Sequence, residues 1–270
     1  MNLKDRVVVV TGAGSGIGRA TALAFAAEGA RVAACDVDEK RLESLASELG
    51  DRKLLVRRVD VSDRLSMKLF ADAVHELVPA ADVIVNNAGV AVGGTFLDTT
   101  LDDWDWLLGV NLRGVVHGCH YFIPKMVARA SGGHVVNVSS ILGIYPAPNV
   151  TAYVASKFAV RGFSQSLRAE LAPHKIGVTA ICPGMINTAI VADGRMSGNV
   201  GSRKDKMVAT FHKRGLAPAK VAEAILDAVR SNPAVRPVGA DAMVMAALMR
   251  VAPRTFNRLA GTIQRRFGVG

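Results

Sequence analysis

No stretch of this chain carries the roughly twenty consecutive apolar residues that a membrane-spanning helix requires. The first apolar run, Val7 to Val10, stops at Thr11 and Gly12, too short for the core of a secretion signal. Cysteine is sparse as well. Cys35, Cys119 and Cys182 are odd in number, far apart and without metal-ligand spacing, so free buried thiols in a reducing compartment are expected, and no metal. A soluble, cytoplasmic protein is the expectation. Low-complexity tracts are missing, and so is any internal repeat. The glycine-rich turn at residues 12–18 is not followed by Gly-Lys-Ser/Thr, which excludes a mononucleotide P-loop. Acidic residues run short only late in the chain. Residues 1–187 hold 19 Lys+Arg against 18 Asp+Glu, whereas residues 188–270 hold 14 against 5.

What is present is a regular alternation. With 50% hydrophobic and 21% charged residues, 270 residues can bury one large core. Val7–Val10 reads as a buried strand, followed by the glycine turn and a helix through Glu28. Strands are then expected over Arg31–Cys35, Leu54–Val61, Asp82–Val85, His134–Val138 and Val178–Ile181, with a short seventh over Ala234–Val238. Helices are expected over Asp38–Leu49, Arg64–Leu77, Thr100 to about Met126, Ala152–Leu171 and Pro218–Arg230. Strands alternating with helices across short links predict a doubly wound parallel α/β sheet, a Rossmann-like fold over residues 1–239.

Chemistry-bearing residues fall at the strand ends. Four glycines in seven residues (Gly12, Gly14, Gly16, Gly18), between a strand and a helix, let backbone approach a pyrophosphate that the helix N-terminus attracts. Asp36 ends the second strand, where a carboxylate binds ribose hydroxyls and repels a 2′-phosphate. No Arg or Lys occupies Ala13, Ser15 or Val37, so NAD is expected rather than NADP. Tyr153 and Lys157 lie four apart on one helix and share a face. A cation there favours the phenolate and should draw the Tyr153 pKa towards the working range.

Together these motifs resemble the short-chain dehydrogenase/reductase family over residues 5 to about 190. Thr11, Gly12, Gly16 and Gly18 look like its cofactor loop, with Ser15 and Ile17 inside it. Asn86, Asn87, Ala88 and Gly89 look like its sheet-stabilising motif, and Pro183, Gly184, Ile186 and Thr188 like its nicotinamide segment. Ser140 precedes Tyr153 by thirteen residues, the family's offset, and Asn111 falls at its catalytic asparagine. The resemblance implies hydride transfer between NAD(H) and an alcohol or ketone. Tyr153 would exchange the proton, with Lys157 lowering its pKa and binding the nicotinamide ribose. Ser140 would hold the substrate oxygen and Asn111 would position a water. Asp60 and Val61 would flank the adenine, and Thr188 the carboxamide. An NADPH-dependent reductase of the same family, or a dinucleotide-binding regulator without turnover, are the alternatives.

The last third departs from the pattern. Residues 189–215, with Gly194, Gly198, Gly201 and Gly215, read as a mobile substrate lid; their Met, Val, Ile and Phe match an apolar, lipid-like substrate, and their Lys and Arg leave an anionic one open. Residues 240–270 form a basic extension, with a helix expected from Pro253 to Phe267. Arg254, Arg258 and Arg265 would take one side, and Phe256, Leu259, Ile263 and Phe267 the other. The sequence leaves two readings open there: docking on the same or a neighbouring subunit of a homodimer or homotetramer, or peripheral membrane contact. Nucleic acid is not an expected partner, since no recognised module accompanies the charge.

Overall fold

The structure, a computed structural model, describes residues 1–251. The helix expected from Pro253 to Phe267, with its docking and membrane readings, lies outside the described residues. Seven parallel strands form the main sheet: β1 (Val7–Thr11), β2 (Arg31–Asp36), β3 (Lys53–Arg58), β4 (Val83–Asn86), β6 (Gly133–Val138), β7 (Ile176–Pro183) and β9 (Val235–Val238). Their order is β3-β2-β1-β4-β6-β7-β9. The chain starts near the centre, winds out to β3, then crosses back to β4 beside β1. That reversal opens a crevice at the carboxyl ends of β1 and β4, where ligands bind in such sheets. A two-residue strand β5 (Val92–Gly93) pairs with β8 (Arg195–Met196) above that edge.

The central strands β1, β4 and β7 are buried throughout because helices cover both faces, whereas the edge strands β3 and β9 carry Arg and Lys. Val8 and Val10 point to one core, with Phe25, Leu45 and Ile225. Val7 and Val9 point to the other, with Phe70, Phe122 and Met126. The period of two assigns alternate residues to opposite layers. The first layer holds α1 (Gly16–Ala27), α2 (Glu39–Leu49) and α9 (Pro218–Ser231), and the second holds α3 (Arg64–Leu77), α5 (Gly114–Arg129) and α6 (Thr151–Leu171). Helix starts are capped as the residue types dictate. Asp38 accepts from the Arg41 amide (3.1 Å) and Asp63 from the Leu65 amide (2.9 Å). Thr100 and Asp103 form a reciprocal capping box.

The structure departs from the sequence-based expectation in three places. The helix expected over Thr100–Met126 is α4 (Leu101–Leu108), a π-helical turn at Gly109–Arg113, and then α5. Asn111 sits in that turn. Residues 189–215 are largely ordered into a short α7 (Gly198–Gly201) and α8 (Lys204–Arg214). A further helix, α10 (Ala240–Val251), follows β9, in a segment rich in the helix formers Ala, Met and Leu. All three cysteines are free and buried, as expected. Among the described residues, no helix is long and apolar enough to cross a membrane, and no cluster of His, Cys, Asp and Glu could hold a metal ion.

Candidate active site

One crevice of about 660 Å³ runs along the carboxyl edge of the sheet, a size typical of small-molecule sites. Gly12 and Gly16 hold positive φ (+64° and +51°) in the turn between β1 and α1. A Cβ at Gly18 would overlap the Gly12 carbonyl, so that helix can sit this close to the turn only with glycine. Ser15 starts α1 without a side-chain cap, leaving amide donors at the positive end of the helix. The Asp36 carboxylate is fixed by backbone donors: one oxygen accepts from the Gly14 amide (2.8 Å), the other from the Asp38 amide (3.0 Å). Asp60 and Val61 line the same end, as do Ile17 and Val37.

The ends of β1 and β4 are sewn together. The Thr11 hydroxyl accepts from the amides of Asn87 (3.0 Å) and Ala88 (3.1 Å). The Asn87 amide nitrogen donates to the carbonyls of Thr11 and Gly12 at 3.0 Å. Asn86 lies below, fully inside the sheet, donating to Asn137 (2.8 Å), which donates to Ser164 (2.9 Å). Asn87, Ala88 and Gly89 line the crevice, whereas Asn86 holds the strands beneath it. Donor-bearing turn, carboxylate and glycine cradle together fit an adenine dinucleotide.

At the other end stand the titratable groups. Ser140 follows β6, its hydroxyl oxygen accepts from the Leu142 amide (3.1 Å), and it lines the crevice with the Tyr153 phenol. The neighbouring Ser139 is committed elsewhere, donating to the Lys157 carbonyl at 2.8 Å. Lys157 is buried, donates to the Val138 carbonyl (3.0 Å), and places its ammonium 5.6 Å from the centre of the Tyr153 ring. Asn111 accepts from the Val90 amide (2.8 Å) and donates to the Val90 carbonyl (3.0 Å) and the Ser156 hydroxyl (3.2 Å). Asn111 Oδ1 and Lys157 Nζ both border Gly89, within 3.3 and 3.4 Å of where its Cβ would lie. The structure thus gathers Ser140, Tyr153, Lys157 and Asn111 around one point.

Electrostatics here differ from the sequence-based expectation. Burial pushes the Tyr153 phenol up to about 12, against a lowering hydrogen bond from Ser140. Burial also pushes Lys157 down to about 8. Desolvation outweighs the pull that proximity alone suggested, because the ammonium is directed at the Val138 carbonyl rather than the phenolic oxygen.

Pro183, Gly184, Ile186 and Thr188 line the crevice as they leave β7, and the Thr188 methyl packs over Gly16. Sequence reasoning missed several lining residues. Arg41, on the first turn of α2, is paired with Asp38 (3.1 Å) and faces Asp193 (3.6 Å). Its spacing from Asp36 was a usable signal. Trp106, Tyr145, Met196, Met207 and Phe211 form the apolar end, and Asp241 enters from α10. Arg195 stacks over Trp106 at 4.1 Å and pairs with Asp103 at 3.1 Å.

A family model described as short chain dehydrogenase matches residues 6–197. Probable oxidoreductase EphD of Mycobacterium tuberculosis (strain ATCC 25618 / H37Rv) is 42% identical over 264 residues, 95% of this chain and 45% of that protein. The chain therefore spans about half the length of that relative. Putative oxidoreductase SadH of the same organism is 35% identical over 266 residues, 96% of this chain and 95% of that one. A short-chain dehydrogenase/reductase from Burkholderia phymatum, solved in complex with NAD, superposes with a TM-score of 0.86 at 28% identity, covering 93% of this chain and 94% of its own.

Proposed function

The chain belongs to the short-chain dehydrogenase/reductase family, and on that footing we propose that it transfers a hydride between NAD(H) and a secondary alcohol or ketone of apolar character. One observation carries the reading. Ser140, Tyr153 and Lys157 line one crevice together with Asp36 and the glycine turn, and the Lys157 ammonium lies 5.6 Å from the centre of the Tyr153 ring.

Bound NAD supplies the hydride acceptor and, when oxidised, a positive charge that works against the desolvation raising Tyr153. Everything else falls to side chains. Ser140 donates to the substrate oxygen and fixes its position. Tyr153 takes the hydroxyl proton as the carbonyl forms, and returns it in the reverse direction. Lys157 would hold the nicotinamide ribose, and its positive charge would stabilise the Tyr153 phenolate. Asn111, anchored on Val90, holds a water by which protons reach solvent. Asp60 and Val61 would flank the adenine, and Ile186 and Thr188 would meet the carboxamide side.

Residues 189–215 act as the substrate lid. Met196, Met207 and Phe211, with Trp106 opposite, favour an apolar molecule. Arg41 favours a second reading, an NADPH-dependent reductase, because a guanidinium at the adenosine end suits a 2′-phosphate. Its pairing with Asp38 and Asp193, beside the Asp36 carboxylate, weighs for NAD. A homodimer or homotetramer in the cytoplasm is part of the proposal.

The test is a panel of secondary alcohols and ketones assayed with NAD(H) and NADP(H), for the wild type and Tyr153→Phe. Turnover with NAD(H) that falls at least a thousandfold in the variant, with NADH binding kept, is the expected result. Near-normal rates in the variant would remove Tyr153 from the mechanism. Binding without turnover over the whole panel would favour the regulator.

A further inference from the structure

Met185 is the first residue of the nicotinamide-side segment beyond Gly184, and its backbone is held from two directions. Its carbonyl accepts from the Leu216 amide at 2.9 Å, and the Asn187 amide returns a 2.9 Å bond to the Leu216 carbonyl. Its amide donates to Oδ2 of Asp241 at 2.9 Å. Asp241 lies in the first turn of α10, and both Leu216 and Asp241 lie beyond residues 6–197, the span the family model matches.

The carboxylate is built into its place. Oδ1 occupies the position a Cβ on Gly184 would need, and it also crowds the Cβ position of Gly239, whose φ is +102°. Any side chain at residue 184 would displace the Asp241 carboxylate. The Gly184 amide in turn donates to the Val238 carbonyl (2.9 Å), so β7, β9 and α10 meet at this corner. Ala242, next in the turn, is fully buried. Asp241 lines the crevice and its charge reaches Tyr145, raising that phenol after the larger effect of burial.

The geometry points to Asp241 as a positioning residue: from the extension, it fixes the Met185 backbone and so the segment through Thr188 that borders the nicotinamide half of the cofactor. The inference rests on the NAD reading above. Loss of the carboxylate frees one end of that segment and leaves the glycine turn and Asp36, which receive the adenosine half, untouched.

Full-length protein is titrated with NADH, followed by nicotinamide fluorescence, and with ADP-ribose, which has no nicotinamide, by calorimetry. Asp241→Ala is expected to weaken NADH about tenfold, the loss of one hydrogen bond to a charged acceptor, and to leave ADP-ribose within about twofold. Asp241→Asn keeps a carbonyl that accepts from Met185 and is expected to hold NADH within about threefold of wild type. Unchanged NADH affinity in Asp241→Ala overturns the inference. So does parallel weakening of NADH and ADP-ribose, which would mark general damage to the fold. Wild-type protein that binds neither ligand would instead overturn the NAD reading, and the assignment of Asp241 with it.

Discussion

The two ends of the crevice are held by different kinds of force. At the adenosine end the fit is between backbones. Gly12 takes a left-handed conformation, Gly18 leaves no room for a Cβ, and Asn87 ties two strand ends through main-chain carbonyls. Around residues 189–215 the backbone pairing of β5 with β8 is two residues long, and side-chain clasps at the surface supplement it. α8 buries no residue, and residues 193–204 are held by Arg195 on Asp103 and Trp106, Lys204 on the Gly194 carbonyl (2.9 Å), and Asp193 facing Arg41. Backbone fit is unforgiving because protein interiors have no slack. Exposed ion pairs are worth little individually and exchange readily with water. On the proposed reading of residues 189–215 as a lid, one end is expected to stay fixed and the other to open.

Adding a methyl at the rigid end should produce the largest effect. Gly18→Ala should lower stability by about 1–3 kcal/mol and abolish NADH binding, read by urea unfolding and fluorescence titration. If stability and binding both survive, the contrast between the two ends fails.

Next comes a pH effect at the meeting point of the two ends. Burial lowers Lys157 from 10.5 to about 8. Between those values the unfolded chain binds more protons than the native one, so stability should rise with pH across that window. The slope owed to Lys157, up to about 1 kcal/mol per pH unit, should vanish in Lys157→Met when urea midpoints at pH 8, 9 and 10 are compared. Tyr153, raised from 10.0 to about 12, acts oppositely above pH 10, where the native state keeps the proton longer. A wild-type midpoint difference that does not grow with pH would refute the burial account.

At the loose end, Arg195→Ala should change the unfolding free energy by less than about 1 kcal/mol. Proteolytic cleavage within residues 189–215 should nevertheless quicken several-fold, because cleavage reports local opening. A large stability loss with unchanged cleavage would invert the comparison. The smallest effect is expected at Arg41. Asp193→Asn should improve NADPH binding about two- to fivefold with NADH little altered, by releasing the guanidinium from one carboxylate. Equal change in both cofactors would mean the pair holds only the lid.

Much of this was readable in the residues. Unbroken apolar runs ending in glycine, Asp or Asn marked strands and the edge where chemistry collects. Helix α3 was delimited correctly at Arg64 and Leu77 by its pattern and cap. Helical spacing put Tyr153 and Lys157 on one face, the family resemblance singled out Ser140, and the fold brings the three to one crevice. What escaped was non-local. Asp241 and Gly184 are far apart in sequence, and nothing in either neighbourhood announces the other. The raised Tyr153 pKa also escaped, since spacing reports proximity but not desolvation. In residues 189–215, glycine content suggested mobility, whereas the intervening Lys204–Arg214 had enough helix formers to make α8.

The π-helical turn at Gly109–Arg113 carries a final consequence. Such a turn accommodates one residue more than regular α-helix would. Wound as regular α-helix with the same residues, the segment would rotate everything downstream by about 100°. Val115, Cys119, Phe122 and Met126, now packed on the sheet, would swing off it, while Leu107 stayed beside Ala152. The irregularity is a register adjuster. It lets one continuous rod face the substrate side with its first half and the central sheet with its second, and it leaves Asn111 at the pivot.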